Sequence, residues 1–346
     1  MLRPFSACLA LFFAFSTMFI YADEIPLASL IEKMKAQINS DTPPTSVSET
    51  QFSANIVVCD QNKQKILILK PGTDWNKPES VVWEWSAEQS PQIAPAHRSW
   101  FNAPSECKPA RGTSHLLVTA SSGGVALIRL ADKACLFYAR IDGNPHSIEL
   151  LPDGNIVTVS SGGLFTLWAV PEGNDAINSE TRLTPNPRGA QYSLRGGHGC
   201  VWDDKEQRLW VLGYDELVAY QYNFDKKNPA LTRDITVSVD GTPADDGHDL
   251  YPVPNQRAFF VTGHHGVGVF DMKTRKITSL LPDTDSGADL HIKSISLSPE
   301  GFLLVQSPTE RWYSDRIPFF NRSLTPIGTR SGAKIYKARW WVEKWK

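Results

Sequence analysis

The chain has 346 residues, 41% of them apolar and 10% aromatic, enough for one large domain with a substantial core. Its 35 Lys and Arg nearly balance 37 Asp and Glu, for a net charge of −2, so bulk electrostatics exclude nucleic acid and an anionic membrane surface as partners. The 23 Gly and 24 Pro suit a protein with many tight turns without reaching low-complexity levels.

At the N-terminus Arg3 precedes an apolar run over residues 5–21, and the small Ala22 stands before Asp23-Glu24, the layout of an export signal cleaved near Ala22. A membrane anchor is the competing reading, but the run is near the short limit for a span and contains Ser6, Ser16 and Thr17. Cys8 lacks the small neighbours of a lipoprotein cysteine. Residues 1–22 are therefore expected to be a signal peptide, and the mature chain to be periplasmic or extracellular with no membrane attachment. Residues 23–53 read as a short amphipathic helix over 25–35, packed loosely outside the main domain, followed by a polar, Pro-containing linker. Cys59, Cys107, Cys135 and Cys200 remain in the mature part. Their even number permits disulfides, yet they lie in or beside apolar strand-like runs, so buried thiols compete with bridges.

From residue 54 to 346 the pattern is strand, turn, strand. Four segments share one phase: Asn144-Pro145-His146-Ser147, Gly196-Gly197-His198-Gly199, Asp246-Gly247-His248-Asp249 and His291-Ile292-Lys293-Ser294. Each has a turn residue six positions beyond the His or Lys (Pro152, Asp204, Pro254, Pro299), and an apolar strand follows. His146, His198, His248 and Lys293 are spaced by 52, 50 and 45 residues, and a period of about 40–50 built of short strands marks propeller blades. Val118-Thr119-Ala120-Ser121-Ser122-Gly123-Gly124 nearly repeats as Val157-Thr158-Val159-Ser160-Ser161-Gly162-Gly163. The expected fold is an all-β propeller of six blades. The first set holds only three strands, so the C-terminal run over 334–342 is expected to supply its innermost strand and close the ring. A β-sandwich is the alternative, but it leaves the repeated phase unexplained.

The first strand of each blade lines the central channel, so equal phases converge. His146, His198 and His248 are accordingly expected as proton-transfer groups or as ligands of a divalent metal such as Zn, Mn or Cu. Asp249 and Glu149 are candidate supports behind them. Lys293, Lys108, Arg111 and Arg339 are expected to hold an anionic group, with Lys337 an alternative to Arg339 on the closing strand; Trp312 and Tyr313 offer aromatic faces for a ligand. His264-His265 lies in a turn and reads as rim. No ring of carboxylates suited to calcium is evident, and there is no nucleophile elbow, P-loop or dinucleotide fingerprint.

The runs Gly143-Asn144-Pro145-His146-Ser147-Ile148-Glu149-Leu150-Leu151-Pro152-Asp153-Gly154-Asn155-Ile156 and Gly247-His248-Asp249-Leu250-Tyr251-Pro252-Val253-Pro254 resemble a family of secreted bacterial propeller proteins of unknown function. So do Val201-Trp202-Asp203, Leu209-Trp210-Val211-Leu212-Gly213 and Val118-Thr119-Ala120-Ser121. The resemblance covers roughly residues 54–320 and implies the fold and a bacterial origin, but no activity. In site design alone the histidine cluster is similar to the oligogalacturonate lyases, propellers with histidine-bound manganese, whose ligand spacing is not reproduced here. The expected function is carbohydrate-active: a lyase or hydrolase acting on an acidic, uronate-type glycan or glycoside, by a monomer. Cations would neutralise the uronate carboxylate, and an imidazole would move the proton. A noncatalytic glycan- or protein-binding propeller and a metal-dependent enzyme of another substrate class are the alternatives, since the fold serves all three.

Overall fold

The computed structural model describes residues 25–40, 52–170, 188–280 and 290–343. The expected signal peptide and most of the expected linker lie outside the described residues. In chain order the strands are β1 (Ile56–Asp60), β2 (Lys65–Leu69) and β3 (Val81–Trp85); then β4 (Pro104–Ala110), β5 (His115–Ala120), β6 (Gly124–Arg129) and β7 (Cys135–Arg140). Next come β8 (Pro145–Leu150), β9 (Ile156–Ser160), β10 (Leu164–Trp168) and β11 (Gly189–Ser193), followed by β12 (Gly199–Asp203), β13 (Arg208–Leu212), β14 (Glu216–Tyr222) and β15 (Leu231–Ser238). The last are β16 (Asp249–Pro252), β17 (Ala258–Thr262), β18 (Val267–Asp271), β19 (Lys276–Ser279), β20 (Ser294–Leu297), β21 (Leu303–Gln306), β22 (Arg316–Pro318), β23 (Pro326–Thr329) and β24 (Ile335–Trp340).

Every pairing is antiparallel, and the strands form a propeller with five four-stranded blades. Four of these run in chain order outward from β4, β8, β12 and β16. In the fifth, β24 is innermost and pairs with β1, setting Ile56 opposite Trp340 and Val57 opposite Arg339. The expected count of six four-stranded blades needs correction at residues 294–329, which form two separate two-stranded sheets, β20–β21 and β22–β23, linked by a bridge between Leu304 and Phe319. The split has a backbone cause. Pro318 and Pro326 have no N–H to give to a ladder, and the loop before β22 is drawn instead to β24, where Ser314 and Ile335 exchange backbone hydrogen bonds of 3.1 and 2.8 Å.

Inner strands are buried on both faces, so they do not alternate apolar and polar as half-exposed strands do. The near-repeat at Val118 and Val157 is one residue out of structural register. Pro104 pairs with Ala120 and Pro145 with Ser160, each next to a bulge, which makes Ala120 equivalent to Ser160 rather than to Val159. The expected loose helix is also corrected. The helix α1 (Leu27–Ile38) buries Ile31, Met34 and Ile38, spaced as one helical face, in the same apolar cluster as Val253, Phe260 and Phe320. The four cysteines are buried free thiols.

Candidate functional site

Two residues ahead of each member of the repeated phase, the backbone turns left-handed: Asn144 (φ 66°), Gly196 (φ 60°), Asp246 (φ 53°) and His291 (φ 45°). The same turn delivers His146, His198, His248 and Lys293 to one mouth of the channel. At the last three the backbone N–H then bonds to the final residue of the neighbouring strand, with His198 to Leu212, His248 to Thr262 and Lys293 to Gln306 at 2.7–3.0 Å. The three imidazoles meet as the shared phase predicts. His146 stacks on His198 with centroids 4.6 Å apart, and His198 meets His248 edge-on at 5.2 Å. Lys293 Nζ lies 3.0 Å from His248 Nε2.

Further rings extend this row. Tyr336 on β24 stacks on His146 and places its hydroxyl 3.1 Å from His146 Nδ1, while Tyr214 stacks on the other side of His198. Gly196 makes the Tyr214 contact possible, because a Cβ there would overlap the tyrosine ring. His198 Nδ1 is 2.8 Å from the carbonyl of Gly196, so Nδ1 carries the proton and Nε2 the lone pair. All three imidazoles are neutral at neutral pH. Burial, with nearby Lys337 and Lys293, holds His146 well below the usual histidine value and His198 at about 3. Burial and Lys293 also push His248 far down. Burial brings the Lys293 amine down to about 8, with Lys337 adding repulsion, so it is mostly charged at pH 7.

Beneath the row lies a sealed ionic floor in which Glu106, Lys108, Asp249, Lys337 and Arg339 are all fully buried. Arg339 forks across both carboxylates, with contacts of 3.0–3.1 Å to Glu106 and 2.7–2.8 Å to Asp249. Lys337 Nζ reaches Glu106 at 3.2 Å, Asp249 at 3.0 Å and the carbonyl of His146 at 3.2 Å, tying the floor to the histidine row. Lys108 Nζ donates to Ser147 Oγ and to the carbonyl of Cys200, both at 2.7 Å. The Arg339 guanidinium also lies over the Tyr251 ring. Burial alone would raise both carboxyls, yet the three cations, Arg339 foremost, hold Glu106 and Asp249 below their ordinary range. The set carries three cations against two carboxylates, and a further buried carboxylate, Glu149, acts with Lys108 on the nearby Cys200 thiol.

This floor corrects several expectations. Its two carboxylates, Glu106 and Asp249, are committed to internal cations. Lys108 and Arg339 are sealed against protein groups, which removes them from ligand binding. Asp249 supports Lys337 and Arg339 rather than a histidine. Arg111 and Glu149 both line a separate cavity of about 320 Å³ with Gly112, Pro152 and Asp204, toward the turns that follow the inner strands. That places Arg111 at the opposite mouth, because β4 runs from Pro104 beside the histidine face to Ala110. Trp312, 46% exposed, donates to Gln61, and Tyr313 lies under the Lys334 ammonium, so both sit on the rim outside the histidine row.

The expected metal set also differs. As placed, His146 and His198 stack face to face at 11° and do not aim nitrogens at a common point. Among the described residues, the grouping whose potential ligand atoms lie within 4.8 Å of one another is His248, His264 and His291. The sequence places His264 on the rim and His291 two residues before Lys293. Their signal was present in the chain order, since the loop after the second strand of a blade returns to the mouth where the next inner strand begins.

Residues 27–345 match the model of DUF6528, a family of unknown function. No curated protein matches the chain in sequence. Among solved structures, a crystal structure of a protein of unknown function from Bacteroides caccae matches with a TM-score of 0.50 at 14% identity, covering 83% of this chain and 99% of the other. At that identity the likeness speaks for the fold alone. Neither match supports the similarity in site design to oligogalacturonate lyases.

Proposed function

The chain belongs to that family, and from this premise and the channel geometry we propose that it binds an anionic small molecule at the histidine mouth, with Lys293 meeting its charge. The observation that carries the reading is the charge order along the axis. A floor of three cations and two carboxylates lies below, Lys293 sits above it, and the neutral imidazole of His248 lies against that cation. An entering carboxylate meets cations and hydrogen-bonding groups with no buried like charge left uncompensated.

The ligand class that uses these groups most fully is a uronate-type glycan or glycoside. Its carboxylate would pair with Lys293, its hydroxyls with His146 and His198, and its sugar faces with Tyr214 and the exposed Trp312 on the rim. The accompanying chemistry would be lyase or hydrolase chemistry, in which carboxylate neutralisation acidifies the adjacent C–H and an imidazole takes the proton. A base held at about 3 is weak, so this requires the bound anion to raise the imidazole. The same depression favours a second reading, noncatalytic binding. We also read β20–β23 as a sixth, split sector of the ring that β24 closes against β1, in a periplasmic or extracellular monomer.

Calorimetric titration with galacturonate and glucuronate oligosaccharides in chelator-containing buffer tests the binding. Lys293→Met should weaken it by about 1.5–3 kcal/mol, the worth of a charge-assisted hydrogen bond. New absorbance in the unsaturated-uronate band would separate a lyase from a binder. Affinity that is absent in the wild type or unchanged in Lys293→Met would refute the assignment.

A further inference from the structure

Beside the histidine row, the loop after β17 and the segment before β20 are laced together. Leu290 and His291 both donate their backbone N–H to the carbonyl of His264, at 2.8 and 3.1 Å. This brings the His264 and His291 rings to a centroid separation of 4.1 Å, crossed at 73°, and His264 lies 4.8 Å from the His248 ring. One potential ligand atom from each falls within 4.8 Å of the other two. Nitrogens bound to one ion at about 2.1 Å stand about 3.4 Å apart, so modest turns of the two half-buried rings, His264 and His291, bring the set to coordination distance.

Two further features point to a ligand. His264 Nε2 lies 2.8 Å from Asp246 Oδ2, which fixes Nε2 as the protonated nitrogen and Nδ1 as the one with the lone pair. A carboxylate behind a histidine in this way is the usual support of a metal-binding imidazole. His248 is only 6% exposed and its Nδ1 has no hydrogen-bond partner, while Nε2 faces the Lys293 ammonium at 3.0 Å, so a metal at Nδ1 displaces the proton that this tautomer places there. A buried ring nitrogen normally finds a partner.

We propose that His248, His264 and His291 form a binding site for a first-row transition-metal dication of the zinc type, with Asp246 orienting His264. Three imidazole nitrogens and no thiolate or carboxylate in the first shell suit Zn²⁺, Co²⁺ or Cu²⁺ and disfavour Ca²⁺ and Mg²⁺. Three protein ligands leave a position open for an exogenous one. Lys293, next to His248, favours an anion there. The site goes beyond the proposed anion binding and does not rest on it, because a metal titration needs no anion and the anion titration is run in chelator.

The full chain, stripped with EDTA, is titrated with Zn²⁺ by calorimetry and with Co²⁺ by visible absorption. The expected result is one equivalent bound, with Co²⁺ bands of a four- or five-coordinate ion. His264→Ala and His291→Ala should each weaken binding at least about 100-fold, and Asp246→Asn about 10–100-fold. His97→Ala, at a histidine stacked on Trp100 away from this site, should leave it unchanged. Wild-type protein that shows no saturable uptake of either ion overturns the proposal, as does uptake that persists in both His264→Ala and His291→Ala. Circular dichroism checks that these variants are folded, and Asp246→Asn carries the test alone if they are not: full wild-type affinity in it counts against the site.

Discussion

Arg339 is the keystone of the channel, and its removal is the sharpest test of the ionic floor. Arg339→Met deletes the five hydrogen bonds that its guanidinium makes to Glu106 and Asp249. It leaves two fully buried carboxylates facing Lys337 at 3.0–3.2 Å, with Lys108 at 3.8 Å from Glu106. Breaking a buried charge network from one side costs about 3–5 kcal/mol. With a urea dependence of about 3 kcal/mol per molar, the midpoint of unfolding should fall by about 1–1.7 M. The pH dependence has a definite sign. In the wild type both carboxyls sit below their ordinary values, so their stabilisation is full above pH ~4–4.5 and is lost as pH falls through the folded values. Without Arg339 the carboxyls shift upward, the neutral forms become the favoured ones, and the variant's deficit shrinks as the solution is acidified from pH 7. Arg339→Lys should recover only part of the loss, because one ammonium cannot fork across two carboxylates. A deficit below about 1 kcal/mol at pH 7, or one that grows on acidification, would refute the reasoning.

Other consequences are open to direct measurement. His198 is held neutral, so the fold keeps that contribution above pH 6.5 and loses about 1.4 kcal/mol per pH unit as pH falls toward about 3; His198→Asn should flatten the stability slope between pH 6 and 4.5 by about one proton, and an unchanged slope would show the ring to be protonated. Gly196→Ala puts a methyl group into the Tyr214 ring at a left-handed position and should cost about 1–3 kcal/mol in urea unfolding; a neutral result would mean that Tyr214 does not lie against His198. Removing residues 333–346 takes away β24 with Lys337 and Arg339, and calorimetry should then show no cooperative transition. A truncated chain with near-native melting would make β24 dispensable.

What the sequence disclosed followed from periodicity. The phase of His146, His198, His248 and Lys293 was legible because each lies a fixed distance from a turn residue, and a left-handed residue two positions earlier repeats the geometry. The floor was not legible. Glu106 and Lys337 meet across 231 residues of chain, and the bulge between Pro104 and Glu106 shifts that strand by one position, so no local pattern announces the pair. His264 and His291 were hidden for a different reason. They come from a loop and a pre-strand residue, and only the hydrogen bonds to the carbonyl of His264 bring them together. The burial of α1 was written in the spacing of Ile31, Met34 and Ile38, whose apolar face needs a partner.

The order in which the floor's charges enter the chain has a consequence for biogenesis. Glu106 and Asp249 are synthesised early, whereas Lys337 follows them by 231 and 88 residues. Until Lys337 and Arg339 are made, a growing polypeptide carries these two acids with Lys108 as the one cation of the floor, and drawing them together in an apolar channel is costly. The early sectors can form hairpins, but the hub has to stay open until β24 arrives. The hub is completed only once β24 has been made, so a product interrupted before it keeps an open hub for proteases to meet.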